Sequence, residues 1–121
     1  MSMLSAKEIY ERVSAHLLAQ RAVSEDENGS CRLRGGDGRK CAIGSLIHDD
    51  LYCLDIEGVG IAYYRHARDG ALLRALYASH VDVCNDQIVE LLTELEELHD
   101  NAHVDEWPQL LAALGQRHAV I

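Results

Sequence analysis

Apolar residues recur at helical spacing along most of the chain and alternate with polar ones in one short stretch. Ala6, Ile9, Tyr10, Val13 and Leu17 fall on one face of a helix predicted from about Ala6 to Ala22. Ser5 and Glu8 stand at its start with the spacing of a capping box, in which each side chain satisfies the other's backbone donor. The longest pattern runs from Asp82 to His99. There Cys84, Ile88, Leu91, Leu92, Leu95 and Leu98 make an apolar stripe, and Asp86, Glu90, Glu94, Glu96 and Glu97 take the other faces. A last helix is predicted from near Asp105, with Pro108 in its first turn and Trp107, Leu110, Leu111 and Leu114 on its inner side. Between these, the sequence predicts a helix or irregular segment over Ile61 to Arg68. After Asp69-Gly70 comes a helix carrying Leu72, Leu73 and Leu76, with Asp69 as its cap.

The alternating stretch is Cys31 to Ile43. Gly36-Asp37-Gly38 has the chemistry of a three-residue hairpin loop, with Asp37 favouring a type I turn and Gly38 free to adopt positive φ. That loop pairs Gly35 with Arg39, Arg34 with Lys40, Leu33 with Cys41 and Arg32 with Ala42. Cys31, Leu33, Cys41 and Ile43 then face a core, and Arg32, Arg34 and Lys40 face the other way. Cys31 and Cys41 are expected to be buried, close and unbonded, because diagonal neighbours lie too far apart for a disulfide. Gly44-Ser45-Leu46-Ile47 reads as the entry to a short helix. The fold class expected is mainly α (α+β): one domain over residues 1–121, with five or six helices packed around a single two-stranded antiparallel hairpin.

Composition narrows this picture. Of 121 residues 48% are hydrophobic, but only 5% are aromatic and none is Phe, so the core must be aliphatic, which favours helices. Lys7, Glu8, Glu11 and Arg12 interrupt the first apolar pattern, and no run approaches the roughly 18 apolar residues of a membrane span. The expectation is a cytoplasmic protein without a membrane partner, whose four cysteines are reduced thiols or metal ligands.

Charge separates along the chain more than the net value of −9 conveys. No Lys or Arg lies between Arg74 and Arg117, where Asp82, Asp86, Glu90, Glu94, Glu96, Glu97, Asp100, Asp105 and Glu106 all fall. Arg32, Arg34, Arg39, Lys40, Arg65, Arg68 and Arg74 carry most of the positive charge. The bland reading is a solvated helix face balanced by ion pairs elsewhere. The functional one makes Asp86, Glu90, Glu94 and Glu97 a docking surface for a basic protein or nucleoprotein partner, with Arg32, Arg34 and Lys40 as a second candidate surface.

Three other constellations have the residue types for chemistry. His80 and Cys84, and His99 and His103, are each four apart and together offer the ligand types of a tetrahedral zinc site. A core thiol with surface histidines is the preferred reading, because the pairs need not converge. Cys41 before a helix start could be a nucleophile with His99-Asp100 as base and orienter, yet its predicted register points it inward and no oxyanion-hole motif accompanies it. The cationic hairpin face could contact phosphates, but overall acidity and the lack of aromatic interleaving beyond Tyr63 and Tyr64 argue against direct nucleic-acid binding. No complete catalytic signature and no cofactor motif is present, so the expectation is a protein without enzymatic activity.

The run from Asp26 to Ile47, with Asp49-Asp50-Leu51-Tyr52 after it and His99-Asp100 and Trp107 later, resembles a group of small uncharacterised bacterial and phage proteins. They share Cys-Ala-x-Gly-x-Leu-Ile after a glycine-rich turn, here Cys41 to Ile47. Gly36 and His48 stand where proline is expected in that group. The resemblance implies a phage or prophage context and an acidic inhibitor that binds and blocks a host protein or nucleoprotein machine. The alternative from the residues themselves is a zinc-binding or cysteine-dependent module built on His80, Cys84, His99 and His103, or on Cys41 with His99.

Overall fold

The structure, a computed structural model, describes residues 3–58, 60–61 and 70–121. The segment expected from Ile61 to Arg68 lies, beyond Ile61, outside the described residues, as do Tyr63, Tyr64, Arg65, Arg68 and the expected cap Asp69. Among the described residues are four α-helices: α1 (Ala6–Gln20), α2 (Ala71–Ala78), α3 (Asp86–Asn101) and α4 (Trp107–Arg117). Five or six helices are not seen among them. Gly44–Leu46, expected as the entry to a short helix, and Val104–Glu106, where the last helix is expected to begin, form three-residue 3-10 turns instead, and further such turns stand at Asp49–Leu51 and Leu54–Ile56.

The capping box that opens α1 is formed: Glu8 N–H donates to Ser5 Oγ at 3.1 Å, and Ser5 N–H donates to Glu8 Oε1 at 3.0 Å. Ile9, Tyr10, Val13 and Leu17 are buried, as their spacing requires. Helix α3 starts later than expected, because Asn85 rather than Asp82 is its cap, accepting from Gln87 and Ile88 N–H groups. Cys84 therefore precedes the helix and is exposed, whereas Ile88, Leu91, Leu92, Leu95 and Leu98 are buried. Helix α1 packs on α3, on α4 and on the Gly44–Leu46 turn. Tyr10 Oη donates to the Leu111 carbonyl at 2.8 Å, and a Cβ at Gly115 would stand 2.7 Å from the Tyr10 ring, so α4 reaches α1 only with glycine there. Leu110, expected on the inner side of α4, is exposed.

No strand or sheet forms among the described residues, which corrects the two-stranded hairpin. The expected register exists at one point. Arg34 and Lys40 form an isolated antiparallel bridge, flanked by bonds from Gly35 N–H to Arg39 O (2.9 Å) and from Cys41 N–H to Leu33 O (3.3 Å). The ladder stops because Glu57 accepts from Leu33 N–H at 2.8 Å, the donor that the next rung needs. Arg34 and Lys40 are the non-hydrogen-bonded pair, and their N–H groups point away from the bridge, to Glu57 at 3.1 Å and to Gln20 Oε1 at 2.9 Å. Cys41 O, which Leu33 N–H would have reached, accepts from Ser45 N–H instead. The turn differs in detail too: Asp37 itself is left-handed at φ 58°, followed by Gly38 at φ 73°. Leu33, Cys41 and Ile43 are buried as expected, but Cys31 is exposed, so the expectation of two buried thiols is half wrong.

Candidate functional site

Helix α3 brings Glu96, His99 and Asp100 to the loop that carries Cys31. Glu96 and Asp100 are four apart and share a helix face, while His99 turns inward and is fully buried. Its ring is committed on both sides. Ser24 N–H donates to Nε2 at 2.9 Å, and Nδ1 lies 2.7 Å from Asp100 Oδ1. An N–H aimed at Nε2 requires a lone pair there, so the proton sits on Nδ1 and is donated to Asp100. The ring also lies 5.6 Å, centroid to centroid, from buried Trp107.

Over this pair opens a cleft of about 360 Å³, lined by Ser30, Cys31, Arg32, Leu33, Cys41, Glu57, Gly58, Gly60, Glu96 and Asp100. One donor atom each from Cys31, His99 and Asp100 lies within 4.8 Å of the others. Burial, then the Asp100 carboxylate beside it, pushes the Cys31 thiol up to about 11. Burial pushes Cys41 up to about 12 despite the Gly44 N–H that its sulfur accepts at 3.2 Å. Both are thiols, not thiolates, at neutral pH, and His99 has no nitrogen left to activate either. Cys41 with His99 therefore does not form a nucleophile and base. Burial, with Asp100 and Glu97 adding to it, raises Glu96 to about 7, although its oxygens accept from Ile61 N–H at 3.1 Å.

The expected zinc ligands do not come together. His80 sits at φ 70° against the edge of the His48 ring, Cys84 is exposed before α3, and His103 is exposed, with Nδ1 accepting from Asp105 N–H. Among the described residues the group with ligand spacing is Cys31, His99 and Asp100 instead. The sequence pointed to His99-Asp100 but gave no sign that Cys31, nearly seventy positions earlier, would meet it.

Arg32, Arg34 and Lys40 of the loop turn out to be internally paired. Arg34 Nη1 lies 2.8 Å from Asp49, donates through Nη2 to Ile47 O at 2.8 Å and covers the Tyr52 ring at 4.9 Å. Lys40 lies 3.5 Å from the same Asp49, and Arg32 Nε lies 3.4 Å from Glu57. Burial works to raise the Glu57 carboxyl, but the Tyr52 hydroxyl and the Leu33 and Arg34 N–H groups outweigh it and hold it below the usual range. On α3, Asp86, Glu90 and Glu97 are exposed. Glu94 is half-buried and paired with Arg117 at 2.9 Å and with His118. It thus finds the cations that helical spacing alone could not supply.

No family model matches the chain, and no curated protein or solved structure matches it. No helix among the described residues is long and apolar enough to cross a membrane.

Proposed function

We propose that the chain is a small acidic interaction protein that docks on a basic protein surface through the outer face of α3. The observation that supports this reading is the exposure of Asp86, Glu90 and Glu97 along one helix whose opposite side is buried in the core. Such a face steers a cationic partner and makes association fast and salt-sensitive. The Arg32, Arg34 and Lys40 cations serve a different end, since Glu57 and Asp49 already engage them. In the fuller form of the proposal the partner is a host nucleoprotein machine that docking blocks, the context implied by the resemblance of the Cys41 to Ile47 stretch.

The test compares two variants that each remove three negative charges: Asp86→Asn with Glu90→Gln and Glu97→Gln, and a control set at exposed Glu11, Glu27 and Asp55. Association with a lysine-rich peptide is followed at rising salt. The face variant is expected to bind more slowly and with a shallower salt dependence than the control. Equal loss in both variants overturns the reading, because net charge alone then explains binding.

A further inference from the structure

Helices α3 and α4 run antiparallel, with Arg117 meeting Glu94 at one end and Trp107 meeting His99 at the other, and an open groove of about 340 Å³ lies between them. Its floor is apolar. Leu98 of α3 and Leu114 of α4 are buried beneath it, Ala102 is half-buried, and Leu110 stands 38% exposed along the α4 wall. Leu110 is one turn before Leu114 and on the same side of the helix, so it is exposed where the groove opens. The rim is negative. Arg117, the cation that lines the groove, is engaged by Glu94, whereas Glu97 is exposed and pairs with no cation among the described residues. Glu106, one turn before Leu110, adds an exposed acid on the α4 side. We infer that this groove receives the apolar side of a basic amphipathic helix, with leucine-sized side chains over Leu98, Leu110 and Leu114 and lysine or arginine beside Glu97.

The inference rests on the reading of the outer face of α3 as a docking surface, to which Glu97 also belongs, and adds that the partner brings apolar anchors between its cations. Both walls of the groove are helices, whose backbone donors and acceptors are bonded internally, so an extended segment would find no edge to pair with. A helix satisfies its own backbone and needs only side-chain contacts. Leu110 and Leu114 repeat at one turn, the spacing at which a partner helix presents its own apolar residues. Charge selects the partner's sign. A second copy of this chain, at a net −9, would bring further acids against Glu97, whereas a basic helix is drawn to that rim and then held by the apolar floor.

Two lysine-rich helical peptides of equal charge serve as probes, one with a pair of leucines a helical turn apart and the other with alanines there. Binding to the full-length chain is followed by fluorescence anisotropy at rising salt. The leucine peptide is expected to bind about tenfold more tightly. That margin should persist at salt concentrations that weaken both peptides, because apolar burial is not screened. Leu110→Gln should cut the margin to about twofold or less. Leu18→Gln, at a leucine of α1 that is 40% exposed and does not line the groove, should keep it. Far-ultraviolet circular dichroism of each variant confirms that the helices persist. Equal binding of the two peptides with the salt dependence retained overturns the groove and leaves the acidic face standing, whereas failure of both to bind at low salt overturns both readings. A margin that survives Leu110→Gln, or sedimentation showing a dimer of the chain that Leu110→Gln dissociates, also overturns the assignment.

Discussion

The backbone N–H of Ser24 donates to Nε2 of His99 at 2.9 Å, tying the loop after α1 to the last turn of α3. Both residues are fully buried, so the bond is shielded from water and its loss would leave the donor unsatisfied. It also decides what His99 can do: hold Asp100, and neither ligate a metal nor accept a proton from a thiol.

His99→Ala should therefore destabilise the protein by about 2–4 kcal/mol, combining the unpaired Ser24 donor with the cavity left beside Trp107. His99→Gln, whose carbonyl can still accept, should cost less. Urea unfolding with unchanged slope for both variants checks the order; equal losses would mean that the Ser24 bond contributes nothing.

Glu96 should make stability fall as pH rises. Its folded value near 7 lies above the unfolded 4.5, so the native state holds a proton that the unfolded chain has already lost. The contribution is fully present below about 4.5 and is gone once pH has passed through about 7. Relative to wild type, Glu96→Gln should gain on the order of 2–3 kcal/mol between pH 4.5 and 8. Chemical denaturation of both proteins at several pH values gives the difference directly; a flat difference would show that Glu96 titrates normally.

Glu57 should be the residue on which the loop 31–42 depends. Its side chain accepts from two backbone donors and from the Tyr52 hydroxyl at 2.6 Å. Glu57→Ala is expected to cost about 2–3 kcal/mol and to speed amide exchange at Leu33 and Arg34 before other sites. Because its carboxyl is held low, this stabilisation is present above the unfolded value of 4.5 and is lost as pH falls through the lower folded one. Exchange at Leu33 and Arg34 that is unchanged in the variant would refute the role.

Gly44→Ala should be poorly tolerated, since the new Cβ would meet Leu33 O at 2.1 Å, a backbone atom already bonded to Cys41 N–H. A loss of about 1–3 kcal/mol in thermal or urea unfolding is expected; a variant as stable as wild type would mean that the chain has room to shift there.

These residues show how far the sequence was readable. Local chemistry was legible: the Ser5 and Glu8 cap, the buried spacing of Ile9, Val13 and Leu17, and the Arg34 to Lys40 register all follow from neighbours within a few positions. What cut the hairpin to a single bridge came from Glu57, more than a dozen positions further on, which takes the Leu33 N–H. The apolar pattern reads from Asp82, whereas the helix opens at its Asn85 cap, which leaves Cys84 outside the stripe. The cleft was legible only in part. His99-Asp100 is adjacent in sequence, but Cys31 joins it through tertiary packing, for which no periodicity exists.

The central claim is that the outer face of α3 receives a basic partner. The most direct measurement is a titration of isotope-labelled protein with a lysine-rich peptide, following each backbone amide by nuclear magnetic resonance. The account expects the shifts to concentrate around Asp86, Glu90 and Glu97 and to fade as salt is added. Shifts centred instead on Glu25, Glu27 and Asp55, or spread evenly over every exposed acid, would contradict it.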